Sequence, residues 1–196
     1  MEARFNFAKA SPGVLKAMLG ISQYVRECGL PESLINLIHL RASQINGCAW
    51  CLDMHWKDLR AAGENEQRLY SLDAWRESPF YTDRERAALA WTEAVTVLNN
   101  GHVPDEIYKE VRPFFNDKEL SDLTLAVAVI NSWNRLNIAA ETSRATIGQP
   151  GRTAWKSPHS AGIFIAIETR SDHVKCRCRY GCSDRGCGSR RAVSGE

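Results

Sequence analysis

The sequence predicts an all-α protein, and three observations carry that reading. Apolar residues recur at helical spacing through most of residues 12–135, helix start and stop signals bracket each such stretch, and no strand alternation competes within residues 1–145. At 196 residues and 44% hydrophobic, the chain can build one domain with a sizeable core.

The elements follow in order. Ser11-Pro12 reads as an N-cap with proline at the first helical position, opening a helix through Leu15, Met18, Leu19, Ile21 and Val25 that stops at Gly29. Pro31 restarts a helix carrying Leu34, Ile35, Leu37, Ile38 and Leu40 toward Ile45, where Asn46-Gly47 interrupts it. A new helix opens at Cys48 and runs to about Ala62, before Gly63. Leu69 to Trp75 reads as a short helix and Pro79-Phe80-Tyr81 as a bend. Thr82-Asp83-Arg84-Glu85 has the form of a capping box ahead of Ala87, Leu89, Ala90, Trp91, Ala94, Val95 and Val97, ended by Asn99-Asn100-Gly101. Pro104 starts a short helix through Ile107 and Val111, and the Asn116/Glu119 spacing caps a last one over Leu120–Arg135.

Charge divides the chain unevenly. The net charge is +2, but residues 151–196 carry nine Lys or Arg against four Asp or Glu, which leaves residues 1–150 mildly acidic. Two regions are therefore expected: a helical domain over 1–148 and a basic Cys/Arg/Gly-rich tail over 149–196. In the tail a lone strand-like run, Ile163-Phe164-Ile165-Ala166-Ile167, has no partner, so poor order is expected there. The tail cysteines Cys176, Cys178, Cys182 and Cys187 fit no common zinc module, and neither a metal site nor a nucleic-acid partner is expected of them. No apolar run approaches the ~20 residues a bilayer crossing needs, and Met1-Glu2-Ala3-Arg4-Phe5 is no secretory signal. A cytoplasmic, membrane-free protein is the expectation.

The most informative stretch is Ile45-Asn46-Gly47-Cys48-Ala49-Trp50-Cys51-Leu52-Asp53-Met54-His55. On a helix, positions 48, 51 and 55 share one face. In a reducing compartment such a pair is catalytic or metal-binding rather than a structural bridge. A thiolate in the first helical turn meets unpaired N–H groups and the positive end of the macrodipole, which favour its charge. His55, one turn after Cys51, can take a proton from a thiol or return one to a leaving group. Buried inert cysteines beside a core histidine are one rival reading. Structural zinc is the other, although Cys48, Cys51 and His55 offer only three ligands where four are usual. Trp75, Trp91 and Trp133 read as core, Cys28 as a small buried hydrophobe, and Trp50 and Trp56 as flanking the site, where they shield the thiolate, line a hydroperoxide pocket or pack at a subunit contact.

The run Leu37-Ile38-His39-Leu40-Arg41-Ala42-Ser43-Gln44 into the Cys48–His55 segment resembles the AhpD-like, or carboxymuconolactone decarboxylase, superfamily. The resemblance continues through Ala74–Ala94 and ends near Trp133-Asn134-Arg135-Leu136-Asn137. It implies an AhpD-like helical bundle assembled as homotrimers or homohexamers, with no cofactor, that reduces hydroperoxides by thiol chemistry. By position, Cys51 would be the peroxidatic cysteine, Cys48 would resolve it by closing the Cys48–Cys51 disulfide, and His55 would serve the proton relay. An external dithiol, lipoyl or thioredoxin-like, would reopen the disulfide. The family's relay glutamate, twelve residues before the first cysteine, is here Asn36, whose amide orients groups but takes up no proton at neutral pH. Glu32 and His39, each about one turn away, are the substitutes within reach. Two further functions follow from the same residues. One is a carboxymuconolactone decarboxylase-type lyase, against which the dithiol argues; the other is a non-catalytic redox-sensing assembly protein.

Overall fold

The computed structural model describes residues 3–142, and every regular element among them is helical. The expected boundary near residue 148, the run at 163–167 and the four tail cysteines lie outside the described residues. Eight α-helices follow one another among the described residues: α1 (Phe7–Ala10), α2 (Pro12–Glu27), α3 (Glu32–Asn46), α4 (Ala49–Ala61), α5 (Glu66–Tyr70), α6 (Asp83–Val97), α7 (Asp105–Val111) and α8 (Asp117–Ala139). Single 3₁₀ turns at Leu72–Ala74 and Asn99–Gly101 complete the path.

Local chemistry explains most of these boundaries. Thr82 and Glu85 form the reciprocal capping box at α6, and Asn116 and Glu119 do the same at α8, so each helix start satisfies two otherwise orphaned N–H groups. Three details depart from expectation. Ser11 precedes Pro12 as foreseen, but its hydroxyl makes no cap; the short α1 ends on it, and its N–H donates to Phe7 O at 2.9 Å. The helix expected at Leu69–Trp75 is split into α5 and a 3₁₀ turn, with Asn65 capping α5 through its side chain. Cys48 stands at the N-cap of α4 rather than inside its first turn.

α3 is the hub. Leu34, Ile35, Leu37, Ile38, Leu40 and Ala42 are buried nearly all round it, the pattern of a helix enclosed by others. α4, α6 and α8 pack against it. On one side Ile38, Ala88, Phe115, Leu123 and Val127 fill the main core. On another, Leu37, Leu59, Leu72, Trp75 and Leu89 form a second core beneath α5. A third, smaller cluster joins Ala42, Cys48, Cys51 and Ile130, with Trp50 and Trp133 against it. Trp75 and Trp91 are buried, and Cys28 is a buried thiol donating to Val25 O.

One buried-edge polar network braces α3 to α6. Glu93 accepts from Arg41 Nε at 2.9 Å, from Trp75 Nε1 at 2.8 Å and from Arg76 Nη1 at 2.5 Å. Burial alone would push the Glu93 carboxyl up; these three donors outweigh it and hold the group below its ordinary value.

Candidate active site

The site is built on the elbow between α3 and α4. Gly47 ends α3 in the left-handed region at φ 69°, a conformation in which a Cβ costs about 1–2 kcal/mol. Its N–H donates to Gln44 O and that of Cys48 to Ser43 O, closing the last carbonyls of α3. The chain thereby reverses into α4 with Cys48 at the N-cap. Its sulfur accepts the Cys51 N–H at 3.4 Å, as a capping oxygen would.

Cys48 and Cys51 are joined by a disulfide, with their Cα atoms 5.4 Å apart. Both are buried, at 1% and 0% exposure, so neither sulfur meets solvent in this oxidised form. Trp50 lies between them in sequence and packs on their cluster.

α8 closes the site with three asparagines spaced one turn apart, which the sequence reading did not single out. Asn131 and Asn134 both accept from Asn46 Nδ2, at 2.8 and 2.9 Å. Asn134 donates to Ser43 Oγ at 3.1 Å, and Asn131 to Thr96 Oγ1. Asn137 then donates its amide to Cys51 Sγ at 3.7 Å while its second contact, Trp133 O, fixes its orientation. The available signal was the period: three amides at i, i+3 and i+6 on an otherwise apolar helix face. Only the fold shows that this face meets the α3–α4 elbow.

His55 is buried at 2% exposure on α4. Its ring stands edge-on to that of His39 from α3, with centroids 5.0 Å apart. Both histidines line a cavity of about 170 Å³ with Glu32, Asn36, Met54 and Trp133. Val25, Ile35, Val129 and Ile130 give that cavity apolar walls, and Arg26 adds a cation. Ile130 also belongs to the cysteine cluster and Trp133 packs against it, so these two side chains are shared by cavity and disulfide cluster. The relay position Asn36 and its two candidate substitutes, Glu32 and His39, are thus gathered on one cavity wall. Trp50 and Trp56 do not line it; Trp56 borders a separate, open groove with Leu52, Leu69 and Tyr70. Among the described residues, no three His, Cys, Asp or Glu side chains are grouped to hold a metal ion, so Cys48, Cys51 and His55 do not form such a cluster.

A helical bundle carrying a Cys-x-x-Cys disulfide at a helix N-terminus, with a histidine pair on a cavity that shares Ile130 with the disulfide cluster, defines a dithiol protein of the AhpD-like type. Residues 12–94 match the carboxymuconolactone decarboxylase family, and the chain belongs to it. The Bacillus subtilis protein YdfG, itself uncharacterized, is 41% identical over 139 residues, spanning 71% of this chain and 95% of its own length. The crystal structure of an Agrobacterium tumefaciens protein of unknown function, linked by name to the antioxidant defence protein AhpD, is also similar. It has 43% identity and a TM-score of 0.71, covering 74% of this chain and 99% of that one. An uncharacterized peroxidase-related protein from Silicibacter shares the fold at 23% identity and a TM-score of 0.58, with 65% and 68% covered. Among the described residues no helix is long and apolar enough to cross a membrane.

Proposed function

We propose that the protein is a thiol-dependent hydroperoxide reductase working through a Cys48/Cys51 dithiol–disulfide cycle. The observation that carries this reading is the Cys48–Cys51 disulfide at the start of α4, whose cluster shares Ile130 and Trp133 with an apolar-walled cavity that His55 also lines. In the reduced protein His55 takes the Cys51 proton, and the thiolate attacks one oxygen of the hydroperoxide. The O–O bond breaks, Cys51 becomes a sulfenic acid, and the departing alkoxide is protonated to the alcohol. The Cys48 sulfur then attacks Cys51; the S–S bond forms, the S–O bond breaks, and hydroxide leaves as water with the Cys48 proton. Two electrons have passed from the dithiol to the peroxide. An external dithiol, lipoyl or thioredoxin-like, returns them by exchange through a mixed disulfide.

Several features support this assignment. The Asn137 amide and the α4 N-terminus both favour negative charge on sulfur at this end of the site. The apolar walls, Val25, Ile35, Val129 and Ile130, suit the organic part of an alkyl hydroperoxide. A lyase acting on a lactone would have no use for the dithiol. The reading also places the protein in the cytoplasm as a homotrimer or homohexamer, checked by light scattering on the purified full chain.

The test is peroxide consumption by reduced protein with a lipoyl or thioredoxin donor, comparing wild type with Cys51→Ser and Cys48→Ser. Sustained turnover is expected in wild type and in neither variant, with Cys48→Ser still consuming one equivalent of peroxide. A disulfide that forms once, with no turnover under any donor and a change in assembly state, would instead establish the redox-sensing protein.

A further inference from the structure

We propose that His39 is the second member of the proton relay, acting through His55 and filling the role that the amide at Asn36 cannot. The inference rests on the hydroperoxide reductase reading above. Its basis is the packing of α3 on α4, which brings two imidazoles into edge-to-face contact with centroids 5.0 Å apart, both buried and both on the wall of one cavity. A histidine in a core is most simply a packing residue. His39 is distinguished from that by its neighbours: another imidazole, one turn after Cys51 on α4, and a cavity whose other polar lining is Glu32, Asn36, Arg26 and Ser22.

Two imidazoles so close hold one proton more readily than two, because the second charge meets the first in a site of low polarity. One proton is what the reaction has to store. His55 accepts it from the Cys51 thiol and passes it to His39, directly or through water, for which the cavity has room. While His39 holds the proton, His55 is neutral and the thiolate is free to attack. After the O–O bond breaks the proton returns by the same path to the alkoxide, which leaves as the alcohol. The relay ends as it began, and the Cys48 proton leaves separately with water. The charged groups that share the cavity with His39 are Glu32, two turns earlier on α3, and Arg26 from α2. α4 contributes His55, while α8 contributes only Val129, Ile130 and Trp133. Glu32 is exposed and shares the α3 wall of the cavity with His39.

His39 is a positioning residue in this scheme, so its test must separate proton handling from packing. The full-length variants are His39→Leu, His39→Gln, which keeps a polar side chain in the cavity, and Asn36→Glu/His39→Leu. The last restores a proton acceptor on the same wall, one turn away. Thermal melts establish that each variant folds. For His39→Leu and His39→Gln, kcat for an alkyl hydroperoxide should fall about ten-fold or more with KM little changed, and the limb of the kcat profile that reports the histidine pair should vanish. Asn36→Glu/His39→Leu should recover most of the loss. Unchanged kcat in both single variants would overturn the proposal. So would a loss that leaves the shape of the pH profile intact and is not recovered by the glutamate, since that is packing.

The pH dependence of Cys51 alkylation by iodoacetamide, read in reduced protein by peptide mass spectrometry, keeps the two readings distinguishable. If wild type turns over no peroxide, the reductase reading has failed, and the relay is judged on this profile alone. Two steps in wild type, one of them lost in His39→Leu and His39→Gln, support it. Identical profiles overturn it.

Discussion

At the scale of single residues, the chemistry of the site is that of two sulfurs held in unlike surroundings. Cys48 Sγ accepts a backbone N–H at the start of α4, whereas Cys51 Sγ, fully buried, accepts from the Asn137 side chain. A buried thiolate is disfavoured unless something donates to it, so Asn137 has the larger consequence. Asn137→Leu, of similar volume but without the donor, should raise the Cys51 thiol pKa. Its alkylation at pH 7 should then slow several-fold while the melting temperature changes little. An unchanged rate would mean that the helix terminus alone sustains the thiolate. The pairing of Cys48 with Cys51 was legible from their spacing across the start of α4, and the structure joins them. Asn36, Glu32 and His39 were legible as a group from their spacing along α3. Asn137 was not, because it lies 86 positions from Cys51 and only the docking of α8 makes them neighbours.

At the scale of elements, the α3–α4 elbow sets the geometry, and its stability comes from three sources: the left-handed Gly47, the Cys48 cap and the asparagines of α8. A Cβ at Gly47 would meet no atom within 4 Å, so Gly47→Ala tests backbone strain alone. It should destabilise the protein by about 1–2 kcal/mol in urea unfolding. A cost near zero would show that the elbow relaxes without harm. The same elbow poses a kinetic question, since an external dithiol cannot attack sulfurs that are 0–1% exposed. The first turn of α4 must open, and Trp50, packed on the cysteine cluster, opposes this. Trp50→Ala should therefore speed reduction of the Cys48–Cys51 disulfide by dithiothreitol several-fold, followed by mass shift after thiol labelling. Equal rates would place the gate elsewhere. Most element boundaries were legible because they depend on local chemistry: both capping boxes lie within four consecutive residues. The short α1 and the splitting of the Leu69–Trp75 stretch were not. Their form is decided by contacts and caps that apolar periodicity does not report.

At the scale of the whole molecule, the bundle is braced by carboxylates whose charge it needs. Glu93 ties α3 to α6 and to the Trp75 region, and its side chain is 17% exposed. Glu85 is likewise held below its ordinary value: burial opposes ionisation, but Arg68 and the Thr82 cap outweigh it. Both folded-state pKa values are therefore depressed relative to the unfolded chain. Their contribution is fully present above the unfolded carboxylate value near 4.5 and is lost as pH falls through it toward the lower folded values. Urea midpoints should be nearly flat from pH 7 to about 5.5 and drop steeply below about 4.5. Glu93→Gln should cost about 2 kcal/mol or more at pH 7, because Arg41 loses a charged partner at the edge of the core. The same variant should also lose part of the acid-induced drop, so that its curve and the wild-type curve converge toward pH 3. Curves that stay parallel across the whole range would show that Glu93 contributes through shape and hydrogen bonding, and that the acid sensitivity of the bundle resides in Glu85 and the capping carboxylates.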